Sequence, residues 1–335
     1  MKRLDPITDA EWEEVNEWNK FIMDDFLTNS TELSPKSIKA YYSSLRIFFV
    51  WVKNNIHNKK LTEITSLEYK RYQNWLVNRG CSSADVCNKR AAISSLNNYI
   101  EIYYQSEFPT FRNFINKSIK RPPPSFVHEK EPLTKAEFAS LIDELSARGD
   151  WQKVAYLKFT FETGCRRSES AQVMKDIVNA KPTVKEKVFV DEDGIERSIS
   201  IVQYKTPPIR CKGAGRTGKV RNLVFGQDTM DAFQRWLSVR GDDDCPAMFI
   251  TKHNGEICAA QPSTFNSWAS STFTKIVGRR IHPHIFRESR ATQAVIEEGK
   301  DIKAVQALLG HNSSTTTEIY VIRDDSDDMD ELFMP

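Results

Sequence analysis

"HIFRESRATQAVIEEGKDIKAVQALLGHNSSTTTEIY", His284 to Tyr320, sets five side chains able to grip an anion around one helical hairpin. His284, Arg287 and Arg290 open it, His311 follows a helix-ending Gly310, and Tyr320 closes it. The apolar residues between them repeat as a helix core does. His284 and Arg287 are spaced i, i+3, which brings both to one side of a helix where they can meet a single phosphate.

Further motifs precede this stretch. "TGCRRSE", Thr163 to Glu169, places Arg166 just after a turn at a helix start. "IVQYKTPPIRCKGAGRTGKVRNLVF", Ile201 to Phe225, reads as a β-hairpin with a Gly-rich basic loop that carries Lys212. Lys205, Arg210, Arg216, Lys219 and Arg221 lie in the same segment, which contains no acid. A second acid-free segment, Leu33 to Thr62, holds Lys36, Lys39, Arg46, Lys53, Lys59 and Lys60. The net charge is only +2, so the distribution and not the total suggests a DNA-facing groove, with Lys36, Lys39, Arg46, Lys205, Arg216, Lys219 and Arg221 as contacts.

The 335 residues suffice for two domains. Residues 1–120 read as four or five helices. "DAEWEEVNEWNKFIMDDFL" has helical spacing, Ser34 and Pro35 start a second helix, and a Thr65/Glu68 capping box starts a third that stops at Gly80. "SADVCNKRAAISSLNNYIEIYYQ" supplies another. Three consecutive prolines, Pro122 to Pro124, cannot continue a helix and mark a linker over 121–132. The second domain, 133–323, opens on a Thr134/Glu137 capping box. It passes through a helix ending at Gly164 and a small antiparallel sheet over Lys181–Phe225, and returns to helices from Asp228. An acidic tail, 324–335, follows. The fold class expected is mainly α with a small antiparallel β-sheet (α+β).

Six scattered cysteines without a C-x-x-C pair read as reduced thiols, and no metal-ligand spacing is present. No apolar run suits a membrane span or signal peptide, so a cytoplasmic or nucleoid location is expected.

Singly these motifs are unspecific; their order is not. An arginine after a T-G turn, a Gly-flanked hairpin lysine, His-x-x-Arg, Gly-His, and a tyrosine nine residues later resemble the tyrosine recombinase (phage integrase) family, which includes phage integrases and Xer-type recombinases. The resemblance runs from about Asp9 to Tyr320, since "LSPKSIKAYYSSLRIFFVWV" is similar to the family's helical core-binding (SAM-like) domain.

The resemblance implies a catalytic set of Arg166, Lys212, His284, Arg287, His311 and the nucleophile Tyr320, with Glu169 supporting Arg166. It implies cleavage and rejoining of double-stranded DNA at paired sites through a 3′-phosphotyrosyl intermediate and a Holliday junction, by a homotetramer on DNA that is a monomer or weak oligomer without it, with an accessory bending or directionality factor. No cofactor or metal is implied. The chemistry suits the residues: arginine offers a planar, permanently charged fork to phosphate oxygens, and a phenol of pKa near 10 needs cations and a base beside it.

Lys205 and Lys219 rival Lys212. Glu288 stands where the family often has histidine, which bears on local packing. A non-catalytic DNA-binding regulator on the same fold and a type IB topoisomerase are the alternatives. The tail residues Leu332, Phe333 and Met334 are expected either to dock on a neighbouring copy or to stay disordered.

Overall fold

The computed structural model describes residues 4–116, 118–123, 131–190, 194–213, 215 and 218–310. These fall into two compact units, divided as Met1–His128 with Gly213–Gly218 and Glu129–Lys212 with Lys219–Pro335.

The first unit is built of α1 (Asp9–Glu13), α2 (Glu17–Asn29), α3 (Pro35–Asn55), α4 (Ser66–Asn78) and α5 (Ser83–Tyr103). Ser34 caps α3 through its hydroxyl and Pro35 fills the first turn, while Thr65 and Glu68 form the expected reciprocal capping box of α4. Their inward faces share one core that includes Ile22, Phe26, Leu45, Phe48, Phe49, Tyr72, Leu96 and Ile100.

One expected helix, 9–27, is two. Asn16 breaks it: its amide oxygen accepts from the Asn19 N–H at 2.9 Å, and its amide nitrogen donates to the Asn58 carbonyl at 2.6 Å. A short polar side chain has here offered the backbone an alternative to continuing the helix.

The second unit starts with α6 (Lys135–Ala147) and α7 (Trp151–Thr163). Val154 to Leu157 and Phe159 of α7 are all buried, so this helix forms the centre of the unit's core. Tyr156 stacks on Phe265 at 4.4 Å, and Phe159 packs against Phe225 and Phe233. The short α8 (Arg167–Ser170) follows directly.

Strands β1 (Thr183–Val190), β2 (Glu196–Lys205), β3 (Ile209–Cys211), β4 (Lys219–Arg221) and β5 (Val224–Phe225) come next. They pair as an antiparallel β1–β2–β5 sheet and a separate β3–β4 hairpin, not one continuous sheet. Helix α9 (Gln227–Arg240) follows, and then β6 (Ile250–His253) and β7 (Glu256–Ala259), a hairpin in a region expected to be helical. Its turn is Asn254-Gly255 with φ of 51° and 85°, the left-handed pair a two-residue hairpin demands.

Helix α10 (Pro262–Ser267) continues through a π-helical stretch, Trp268–Phe273, into α11 (Thr274–Val277). Helices α12 (Pro283–Thr292) and α13 (Ile302–Leu309) complete the described residues. The entry to α6 is pinned to α12, because the Leu133 N–H donates to the Ser289 hydroxyl at 2.7 Å. Arg279 adds a two-bond grip on Glu137, at 2.7 and 2.9 Å. No described helix is long and apolar enough to cross a membrane.

Candidate active site

The site grows from two glycine turns that fit against each other. Gly164 ends α7 with φ 57°, and a Cβ there would lie 2.6 Å from Leu309 of α13. Gly310 ends α13 with φ 66°, and its Cβ would lie 2.9 Å from the Arg221 guanidinium. Both positions favour glycine for conformation and for space together.

Arg287, on α12, reaches both turns. Its guanidinium is fully buried and donates to the Gly164 carbonyl at 2.5 Å and the Leu309 carbonyl at 2.6 Å. These bonds bring "TGCRRSE", "HIFR" and "LLG" together although more than a hundred residues separate the first from the others. A buried guanidinium without such acceptors would cost several kcal/mol, on the order of 3–5.

Glu169 is the second hub. Its side chain is wholly buried; one oxygen accepts from Arg166 at 3.0 Å and the other from Arg221 at 2.7 Å. The second oxygen also accepts from the Arg166 backbone N–H, at 3.2 Å. Burial alone would raise its pKa. The charge and hydrogen bond of Arg221, with both Arg166 donors, outweigh burial and hold Glu169 below the usual carboxylate range. Arg221 in turn donates to the Leu308 carbonyl at 2.6 Å, closing a chain from α8 through β4 to α13.

Arg221 was expected to contact DNA. Its guanidinium holds Glu169 and the last turn of α13. Arg46, another expected contact, likewise turns onto its own unit: it sits 5.2 Å over Trp12 and donates to the Thr8 carbonyl and Asp9, each at 3.1 Å. Both side chains have partners within their own unit, which sequence patterns of charge do not reveal. Lys36, Lys39, Lys205 and Lys219 are exposed.

Lys212 is exposed and follows directly on β3. The hairpin base is fixed by Gln172, whose side chain donates to the Arg210 carbonyl at 2.9 Å and accepts from the Arg210 N–H at 3.0 Å. Lysine 212 is thus carried on an anchored strand. Arg216, His311, Tyr320 and the tail from 311 onward lie outside the described residues.

His284 is exposed on α12 near its start, whereas Arg287 one turn later is buried. Desolvation pulls the His284 pKa below its ordinary 6.5; Glu288 opposes this, while His282, Arg167 and Arg287 reinforce it. The shift favours the neutral ring, the form that can accept a proton. Glu288, four residues further along α12, is buried, at 7 % exposure.

Arg167 was overlooked in the sequence, although the doublet "RR" signalled it. Cys165, within the same motif, is buried, and desolvation pushes its thiol up to about 11. It packs and accepts no nucleophilic duty at neutral pH.

The site's ingredients are thus guanidinium groups at two carbonyl-rimmed turns, an imidazole at the surface, and a lysine on a braced hairpin. Comparison with known proteins points the same way. The SPbeta prophage-derived recombinase-like protein YomM of Bacillus subtilis (strain 168) is 29 % identical over 337 residues, covering 99 % of this chain and 96 % of that protein. A tyrosine recombinase of Thermosipho africanus (strain TCF52B) is 22 % identical, covering 92 % and 96 %. The crystal structure of the XerH site-specific recombinase bound to a palindromic difH substrate has the same fold, with a TM-score of 0.66 at 16 % identity over 98 % of this chain and 97 % of that one. The family's N-terminal SAM-like domain matches residues 22–102. With residues 131–327, more than half of its length, matching the phage integrase family, the chain belongs to that family.

Proposed function

We propose that this chain is a site-specific DNA recombinase that cuts and rejoins double-stranded DNA through a 3′-phosphotyrosyl ester. The observation that carries the reading is the Glu169–Arg166/Arg221 and Gly164–Arg287–Leu309 network, which gathers motifs scattered over the chain around one set of cations. Arg166 stabilises the charge that grows on the non-bridging oxygens of the scissile phosphate, and Arg287, fully buried with its donors on the Gly164 and Leu309 carbonyls, adds its positive charge without touching them. His311 adds a hydrogen bond to one of them.

Tyr320 attacks phosphorus. A bond forms from its phenolic oxygen, and the bond to the 5′-oxygen breaks. His284 accepts the phenolic proton, and Lys212 supplies the proton the departing 5′-oxygen takes. The ester retains the energy of the phosphodiester, so the reverse attack by a 5′-hydroxyl reseals the strand without ATP. Four copies on two sites exchange strands through a Holliday junction, assisted by a bending or directionality factor, where the DNA lies in the nucleoid.

Because a binding regulator would lack the covalent step, the test is trapping. Duplex selected by the protein from a random-sequence pool is nicked near the cleavage point, so the short released strand diffuses away. Accumulation of a covalent protein–DNA band supports a recombinase; tight binding with no covalent band supports a regulator.

A further inference from the structure

The outer part of the β1–β2 ribbon is exposed on both faces. Every residue of β1 is exposed, as are Glu196 to Ser200 of β2. A two-stranded ribbon exposed on both faces is marginal in water, and three or more strands or a helix against one face are the usual remedy. Yet this one displays large apolar side chains: Val184 is 58 % exposed, Val188 57 % and Val190 65 %, joined by Phe189 and Ile199.

The register sorts the charges. Directly paired residues share a face. Lys185↔Ile201, Lys187↔Ile199 and Phe189↔Arg197 therefore make one face, and all its charges are positive. Val184↔Val202, Glu186↔Ser200, Val188↔Ser198 and Val190↔Glu196 make the other, and all its charges are negative. Each face carries an apolar stripe beside its charges.

DNA is a poor occupant for this ribbon. Between Lys185 and Arg197 the sequence has five acids (Glu186, Asp191, Glu192, Asp193, Glu196) against three bases. The geometry points to a second copy of this chain: the Lys185/Lys187 face of one ribbon stacks on the Glu186/Glu196 face of its neighbour's. Stacked sheets lie about 10 Å apart, close enough for the valines of one to meet the isoleucines of the other and for the lysines to reach the glutamates. The contact is heterologous, one face against the other, the type that links copies in a directed order. It rests on the recombinase reading, which requires several copies on DNA.

The test is a charge exchange in the full-length protein. One variant carries K185E and K187E, the other E186K and E196K; a third, V188T/V190T, removes apolar contact without changing charge. Gel shifts on the selected duplex, with one or two copies of the bound sequence, separate single-protomer binding from cooperative occupancy.

Single-protomer binding should be unchanged in all three. Cooperativity should fall at least tenfold in each variant alone, and an equimolar mixture of the two charge variants should regain it to within about twofold of wild type. V188T/V190T should gain nothing from mixing.

Independent binding by wild type, unchanged cooperativity in the variants, or a mixture no better than its components would overturn the contact. Weaker single-protomer binding by K185E/K187E, relieved as salt is lowered, would show that the ribbon touches DNA instead. Covalent trapping by wild type reports separately on the recombinase reading.

Discussion

Arg166 and Arg287 carry the same proposed duty but are placed differently, and the difference is measurable. Arg166 is partly exposed and pairs with Glu169, a side chain it shares with Arg221. Arg287 is fully buried and ties two backbone turns together. Arg166→Ala should cut cleavage steeply and cost less stability than Arg287→Ala, because Arg221 still pairs with Glu169. Arg287→Ala should abolish cleavage and also lose about 1–3 kcal/mol of stability for each of the two buried carbonyls that lose their donor. Thermal melts beside adduct assays make the distinction; equal melting of both variants with wild type would contradict the burial argument.

A second residue-scale expectation follows from His284. Its pKa lies below 6.5, so the acid limb of the cleavage rate should fall below that pH. Arg167→Ala removes a cation that disfavours the imidazolium, so the limb should move upward in pH. A pH–rate profile of adduct formation reads this directly, and a limb moving downward would remove Arg167 from the site's electrostatics. The sequence displayed Arg167 in plain view beside Arg166, but only packing reveals that its charge is felt at α12.

At the scale of elements, the starts of helices were the most legible features. Ser34, Thr65 and Thr134 each use a side-chain oxygen to cap the first turn, and these local signals survive folding unchanged. Asn16 misled because helical spacing continues across it, while its side chain is claimed by Asn58, forty-two residues away. The β6–β7 hairpin was readable from Asn254-Gly255 and was overlooked in a region where apolar spacing suggested helices.

The interlock of the T-G and G-H turns was not readable, because it depends on Gly164 meeting Leu309 and Gly310 meeting Arg221. Glu169→Gln tests that interlock. Glu169 has a depressed folded pKa, so its ionised form adds stability above the unfolded value near 4.3, which is lost as pH falls through the folded pKa. The variant should be less stable at neutral pH, toward the lower end of about 3–5 kcal/mol. The stability gap to wild type should narrow as pH drops below about 4.3. A gap constant with pH would mean that the carboxylate's charge is not what holds Arg166 and Arg221.

Across the whole molecule, the family and the fold class were legible because the motif order survives even where pairwise identity is low. Placing cations on a surface was less legible: Arg46 and Arg221 belong to runs that look uniformly basic, yet each is held by its own unit. The remaining claim is chemical, that a phenol 36 residues after His284 attacks DNA. It can be settled by digesting the trapped covalent complex with protease and nuclease and locating the nucleotide-bearing peptide by mass spectrometry. The account predicts a phosphodeoxynucleotide on Tyr320, and no adduct from Tyr320→Phe although that variant binds DNA as wild type does. A nucleotide attached to any other residue, or an undiminished adduct from Tyr320→Phe, would contradict it.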